Sequence, residues 1–102
     1  MDNTKRAKLE SAGWVVGNTK EFLNLSEEEA AFVEVKVALA VALRAKRVEQ
    51  RLSQVQAAKI LRSSQSRVAK MEAADGSVSI DLLFRSFLKL GGTRQSMAAA
   101  IL

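Results

Sequence analysis

The chain has no cysteine, no histidine and no proline among its 102 residues. The absence of cysteine excludes disulfides and thiol nucleophiles, and the further absence of histidine excludes the usual zinc sites and a Ser-His-Asp triad. Carboxylates and lysines remain as candidate catalytic groups, but the sequence pattern offers them no supporting partners. We therefore expect no catalytic residue, no metal site and no cofactor, and a protein that is not an enzyme.

Long hydrophobic runs are also missing. The longest apolar stretch, residues 30–43, is interrupted by Glu34 and Lys36, so it is too short and too charged to span a bilayer. The cations at positions 5–8 are followed by acidic and polar residues rather than by an apolar core, so no signal peptide is predicted. We expect no membrane association and a cytoplasmic location.

The positive charge is concentrated in the middle of the chain. Residues 35–72 hold nine Lys or Arg against two Glu, whereas residues 1–34 hold four cations against seven acids. A concentrated basic segment is typical of phosphate binding. Part of this charge has a second explanation, because Arg44, Lys46 and Arg47 lie near the predicted end of a helix, where cations favour the macrodipole.

Residues 52–72 predict two short helices joined by a tight polar turn. Ser53 followed by Gln56 fits a capping box at the start of the first helix. Ser64 is a suitable N-cap for the second helix, and Arg62 with the serine after it interrupts the apolar pattern between them. This arrangement is the layout of a helix-turn-helix.

Each of the two helices has one apolar and one polar side. The apolar or small residues of the first are Ala57, Ala58, Ile60 and Leu61. In the second helix Val68 and Met71 are the large apolar residues, and the opposite face carries Gln65, Ser66, Arg67 and Lys70. Gln pairs with adenine, and Arg or Lys reaches guanine or phosphate in a major groove. The alternative is an ordinary surface helix pair with solvated charges.

The segment resembles the helix-turn-helix of phage-repressor-like (Xre-type) DNA-binding proteins. Leu-Ser-Gln at residues 52–54 is a frequent opening in that family, and Ala58 falls where two helices must cross closely. Leu61, Val68 and Met71 fall on its buried positions, and Glu72 on the acidic residue that ends the recognition helix. The resemblance implies an all-α, lambda-repressor-like bundle of five to six helices with a short N-terminal extension.

The same resemblance implies a set of DNA contacts. Bases or nearby phosphates would be contacted by the second helix, and the DNA backbone by residues before it. The predicted DNA-binding residues are Gln54, Lys59, Arg62, Ser64, Gln65, Ser66, Arg67 and Lys70.

Two positions depart from the family pattern. The family usually has Gly where Arg62 stands and an apolar residue where Ser63 stands. A residue other than glycine at positive φ costs about 1 kcal/mol. Arg62 therefore either accepts that strain or the turn has a different shape.

The flanking segments predict further helices. Ser26 with Glu29 predicts a capping box that opens a helix from about Glu27 to Gln50, buried on more than one side. Ser79 caps a helix that runs through residue 90 and ends at the glycines 91–92.

Thr93 then caps a last helix with an apolar end, which either packs on its own core or forms a two-fold dimer contact.

Residues 1–25 are predicted to be an extension separate from a DNA-binding domain at residues 26–102. A short helix is expected from Thr19 to Asn24, and Trp14 is either a core anchor or a contact with a partner protein. An extension before such a domain looks similar to bacterial antitoxins, which bind a toxin and repress their own promoter.

We thus expect a sequence-specific regulator that binds double-stranded DNA as a homodimer, most simply a bacterial repressor that occludes a promoter. One alternative is an antitoxin that neutralises a partner toxin and autoregulates its promoter. Another is a protein-interaction adaptor on the same fold.

Overall fold

The computed structural model describes residues 26–102, which form five helices and contain no strand. The helices are α1 (Glu27–Glu49), α2 (Gln54–Ile60), α3 (Gln65–Glu72), α4 (Ile80–Lys89) and α5 (Arg94–Ile101). The predicted all-α, lambda-repressor-like bundle is therefore confirmed. The proposed extension at 1–25, with Trp14 and the predicted helix at 19–24, lies outside the described residues.

Each helix begins at a serine or threonine whose side chain accepts a hydrogen bond from the amide three residues later; these residues are Ser26, Ser53, Ser64, Ser79 and Thr93. The predicted capping box at Ser53 is complete, because Gln56 also accepts from the Ser53 amide at 2.8 Å. At Ser26 the bond from the Glu29 amide is present at 3.2 Å, which is one of the two bonds predicted there. These caps satisfy amide groups that would otherwise lack partners at the helix starts.

The first four helices share one type of ending. Each is followed by a residue at positive φ: Arg51 at 58°, Arg62 at 53°, Ala74 at 52° and Gly91 at 98°. The next amide bonds to the carbonyl five residues earlier, as from Leu52 to Arg47 at 3.1 Å, which is the Schellman arrangement. Only the fourth ending uses glycine, so three of these turns place a side chain in a conformation that favours glycine.

The core is assembled around α1, which packs against α3, α4 and α5. Its middle section is buried on more than one side, as predicted, through Val37, Ala38, Leu39, Ala40 and Leu43. Its N-terminal turns are more open, and Phe32 is exposed. None of the helices within residues 26–102 is both long enough and apolar enough to cross a membrane.

One residue of the predicted apolar side of α2 does not enter the core. Ala57, Ala58 and Leu61 are buried, but the Ile60 side chain is 49% exposed. Residues in a helix are about 100° apart around its axis, which puts Ile60 roughly a quarter-turn away from the centre of the buried stripe. The prediction that Ile60 lies on one apolar side with these residues was therefore wrong.

Candidate nucleic-acid interface

The helix pair α2 and α3 is held together by small and medium apolar side chains. The two helices pack directly against each other, and Ala58, predicted to allow a close crossing, is 4% exposed. On α3, Val68 and Met71 are fully buried, which confirms the predicted apolar stripe. The stripe orients α3 so that its other side points away from the core.

The outward side of α3 is polar along its whole length. Gln65, Ser66, Arg67 and Lys70 are all exposed. Ser66 and Lys70 are four residues apart, so they lie on one face of the helix, one turn from each other. The described residues therefore present the polar surface that the sequence predicted.

A hydrogen-bonded chain connects the starts of α2 and α3. Gln65 Nε2 donates to Gln54 Oε1 at 2.6 Å, and Gln54 Nε2 donates to Glu72 Oε1 at 3.3 Å. Glu72 in turn accepts from Arg47 through both of its oxygens. The position of Gln65 is thus linked to the C-terminal part of α1.

The Arg47–Glu72 pair is a nearly buried ion pair. Arg47 Nε lies 2.6 Å from Glu72 Oε2 and its Nη2 lies 3.0 Å from Oε1, while its Nη1 donates to the Leu52 carbonyl at 2.8 Å. The Arg47 and Glu72 side chains are 14% and 6% exposed. The hydrogen bond with Glu72 raises the pKa of Arg47 above its ordinary value, and the charge of the carboxylate acts in the same direction.

Sequence reasoning missed this pair and counted Arg47 with the cations that favour phosphate or a helix dipole. The structure gives Arg47 a different role, because its guanidinium is committed to Glu72 and to the Leu52 carbonyl in the turn before α2. The sequence feature that could have revealed this pair was Glu72. A carboxylate predicted at the inner end of a recognition helix needs a cationic partner.

The conformation of Arg62 decides between the two alternatives predicted for the turn, a strained Arg62 or a turn of different shape. Its φ of 53° shows that the turn keeps the conformation for which glycine is usual, so Arg62 accepts the strain. The turn is closed by bonds from Arg62 N to Lys59 O at 3.2 Å and from Ser63 N to Ala58 O at 2.8 Å. Ser63, which replaces an apolar residue, is half-buried, and its Oγ has no hydrogen-bond partner.

The predicted DNA-binding residues fall into distinct groups. Gln54 and Gln65 contact each other, while Ser64 uses its hydroxyl oxygen to cap α3 by accepting from Arg67 N at 3.1 Å. Lys59 is exposed on α2.

Arg62 and Arg67 lie together in a cleft that faces α4 rather than beside Gln65.

No group of three or more acidic residues suited to a metal ion occurs within residues 26–102.

Comparison with known families supports the same interpretation of these helices. Residues 43–86, from the C-terminal part of α1 to α4, match a family model described as Helix-turn-helix. This family is one of DNA-binding regulators of transcription and is not typically enzymatic. No curated protein and no solved structure gives a significant match. Residues 43–86 are thus similar to the phage-repressor-like (Xre-type) helix-turn-helix family of DNA-binding transcriptional regulators, in agreement with the resemblance of residues 52–72.

Proposed function

We propose that this regulator recognises a specific double-stranded DNA sequence through the exposed face of α3 and acts as a repressor by occluding a promoter. The observation that carries the proposal is the position of Gln65. It is exposed at the start of α3, its orientation is set by Gln54, and the helix behind it is anchored by fully buried Val68 and Met71. A side chain restrained in this way has less entropy to lose when it binds a base.

The bond to Gln54 leaves Gln65 able to pair with adenine. One hydrogen of Gln65 Nε2 is donated to Gln54, and the second hydrogen and the Oε1 acceptor remain. Adenine presents one acceptor and one donor in the major groove, so the remaining groups match it. Gln54 keeps one Nε2 hydrogen in the same manner after donating to Glu72, and that hydrogen can be donated to a phosphate.

The other predicted DNA-binding residues extend the proposed contact to further bases and to phosphates. Ser66 and Lys70 continue the base-contacting face along α3. Lys59, Arg62 and Ser64 lie before or at the start of α3, and we assign them to phosphates, together with Arg67. Phosphate contacts supply affinity and register, whereas base contacts supply specificity.

We further propose a homodimer, because a two-fold pair of domains places two recognition helices about 34 Å apart on one side of the DNA. Phe84 and Leu88 lie one turn apart on α4, and each is 38% exposed. They offer an apolar contact face that the described core leaves partly open. A regulator of this kind acts where the chromosome lies, so the proposal includes a cytoplasmic location.

The test is a gel shift with the DNA upstream of the protein's own reading frame, repeated over a range of salt concentrations. Replacing Gln65 with alanine should weaken specific binding by about 1–3 kcal/mol, or about 5- to 100-fold. Gln95→Ala is the matched control, because Gln95 is an exposed glutamine on α5, away from the helix pair. Specific binding that is equal for all three proteins would contradict base recognition by Gln65.

A complete absence of binding at low salt would contradict the proposal as a whole and favour the adaptor alternative. The antitoxin alternative depends on residues 1–25, which lie outside the described part of the chain, and it stays a prediction.

A further inference from the structure

We propose that a basic cleft between the helix-turn-helix turn and α4 binds a phosphate group. The cleft has a volume of about 280 Å³. Four cations line it: Arg62 from the turn, Arg67 from α3, and Arg85 and Lys89 from α4. Only the first two were predicted from the sequence to contact DNA, and no residue of α4 was.

The cleft is separate from the Gln54–Gln65 contact. Arg67 is two residues after Gln65. At about 100° per residue, Arg67 lies about 160° around the α3 axis from Gln65. Arg67 instead shares a side of α3 with Met71, and both line the cleft. The recognition helix therefore has one flank held by the Arg47–Glu72 network and another that faces this basic cleft.

The charges in the cleft are poorly balanced by the protein. Within residues 26–102, Arg62, Arg67 and Lys89 form no ion pair. Arg85 pairs with Asp81 at 3.2 Å, but both side chains are 73% exposed, so water screens the pair strongly. A cleft lined by charges of one sign concentrates their field and attracts an anion.

Two hydroxyl groups in the cleft wall lack strong acceptors. Ser63 Oγ is buried and has no hydrogen-bond partner, and Ser86 donates only to the Met71 sulfur, at 3.4 Å. Buried polar groups without partners are uncommon in folded proteins, and some of them lie where the protein binds an ion. A phosphate oxygen would provide the acceptor that each hydroxyl lacks.

Phosphate is the anion that fits this set of donors. Guanidinium groups bind phosphate through two parallel hydrogen bonds, and three of the four cations are arginines. The group has two possible sources, a phosphate of the DNA backbone or a small phosphorylated molecule. The first source rests on the proposed DNA-binding function, whereas the second does not.

The first experiment uses the full chain labelled with ¹⁵N, titrated with inorganic phosphate and with pyrophosphate. The amides of Ser63 and Ser86 should shift and saturate if the cleft accepts a free phosphate group. The double variant Arg85→Gln/Lys89→Gln should weaken this binding about fivefold or more, because two of the four cations are gone. Arg51→Gln/Arg94→Gln removes the same charge at exposed positions outside the cleft and should weaken it much less.

Asp81→Asn provides a test in the opposite direction. It removes the carboxylate that pairs with Arg85, so pyrophosphate should bind more tightly, by about twofold. A decrease in affinity would contradict the role given to Arg85.

The second experiment measures the salt dependence of DNA binding. If the cleft holds a backbone phosphate, Arg85→Gln/Lys89→Gln should reduce the slope of log K against log salt by about 1 to 2. Saturable pyrophosphate binding with an unchanged slope would identify a small phosphorylated ligand, and a reduced slope without pyrophosphate binding would identify DNA.

The cleft proposal is wrong if Arg85→Gln/Lys89→Gln changes neither pyrophosphate binding nor the salt slope of DNA binding. It is also wrong if Arg51→Gln/Arg94→Gln has an equal effect. Pyrophosphate binding that persists without any DNA binding would reject the proposed function and retain the cleft.

Discussion

At the scale of single residues, the pairing of Arg47 with Glu72 joins α1 to the proposed DNA-binding surface. The two residues are 25 positions apart, and their side chains form two hydrogen bonds with little exposure to water. Glu72 also accepts from Gln54, which in turn accepts from Gln65. A change at Arg47 is therefore expected to affect both stability and DNA recognition.

Arg47→Met should lower the free energy of unfolding by about 3 kcal/mol, because it leaves the Glu72 charge nearly buried without its partner. The double variant Arg47→Met/Glu72→Met should recover part of that loss. Urea denaturation checks both values, with Arg44→Met as the control at an exposed position of α1. A double variant as unstable as the sum of the two single variants would contradict the coupling.

Arg62 allows the strain in the turn to be measured. Arg62→Gly should raise the free energy of unfolding by up to about 1 kcal/mol, because glycine adopts a φ of 53° without steric cost. Arg62→Ala removes the same charge but keeps the Cβ, so it should give no such gain. Equal stability of the two variants in urea would show that the strain is not the controlling factor.

The Asp75 carboxyl group is expected to make the stability of the loop between α3 and α4 depend on pH. The Ser77 hydroxyl and the Ser77 amide donate to its Oδ1 at 2.7 and 2.9 Å, and these bonds lower the pKa of Asp75. Because the pKa of Asp75 is lowered in the folded protein, its bonds to Ser77 stabilise the fold above the ordinary carboxyl pKa. This stabilisation is lost as the pH falls through the pKa of the folded state.

Ser77→Ala should raise the pKa of Asp75 towards its ordinary value, because it removes the hydroxyl donor. The pKa is measured by NMR titration of the Asp75 carboxyl group. Ser79→Ala is the control, since it removes a nearby hydroxyl that caps α4 instead. An Asp75 pKa that does not change in Ser77→Ala would contradict the assigned cause.

At the scale of elements, the beginnings of the helices were more predictable than their ends. Serine and threonine caps act through bonds over three residues, so the local sequence contains their signal. The endings of α1 and α3 place Arg51 and Ala74 at positive φ, where the sequence has no glycine to indicate it. These conformations arise because packing on both sides directs the chain back towards the core.

Gly92 shows how tightly the end of α4 is packed. A Cβ at this position would lie 2.2 Å from Phe87 Cε2, and the Phe87 side chain is buried. Gly92→Ala should therefore lower the free energy of unfolding by about 2 kcal/mol, with thermal unfolding as the measurement.

The matched control is Gly76→Ala, since no atom lies within 4 Å of a Cβ there and its φ is not positive. It should leave stability unchanged or raise it slightly. Similar losses in both variants would contradict the assignment of the Gly92→Ala loss to a clash with the Phe87 ring.

At the scale of the whole molecule, the proposed function depends on a pair of domains arranged on DNA. Phe84 and Leu88 are the most exposed large apolar side chains of α4, at 38% each. Their exposure favours an interface with a second copy of the chain. The apolar end of α5 is divided, since Met97 is buried and Leu102 is exposed.

If α4 forms the dimer contact, Phe84→Glu/Leu88→Glu should shift the sedimentation profile to monomer and weaken binding to a two-half-site DNA more than to a single half-site. Ile60→Glu is the control, because Ile60 is similarly exposed on α2. A wild-type protein that remains monomeric and binds DNA with a stoichiometry of one would contradict the proposed dimer.

The amino-acid sequence by itself determined the helices, their caps, the buried stripe of α3 and the resemblance to a helix-turn-helix family. These features depend on residues within a few positions of one another, where hydrogen bonding and helical periodicity operate. Only the tertiary structure decided that Arg47 pairs with Glu72, that Gln65 bonds to Gln54, and that Arg85 and Lys89 join Arg62 and Arg67. Those contacts depend on how the helices pack against one another, because residues 11 or more positions apart meet only where packing brings their side chains together.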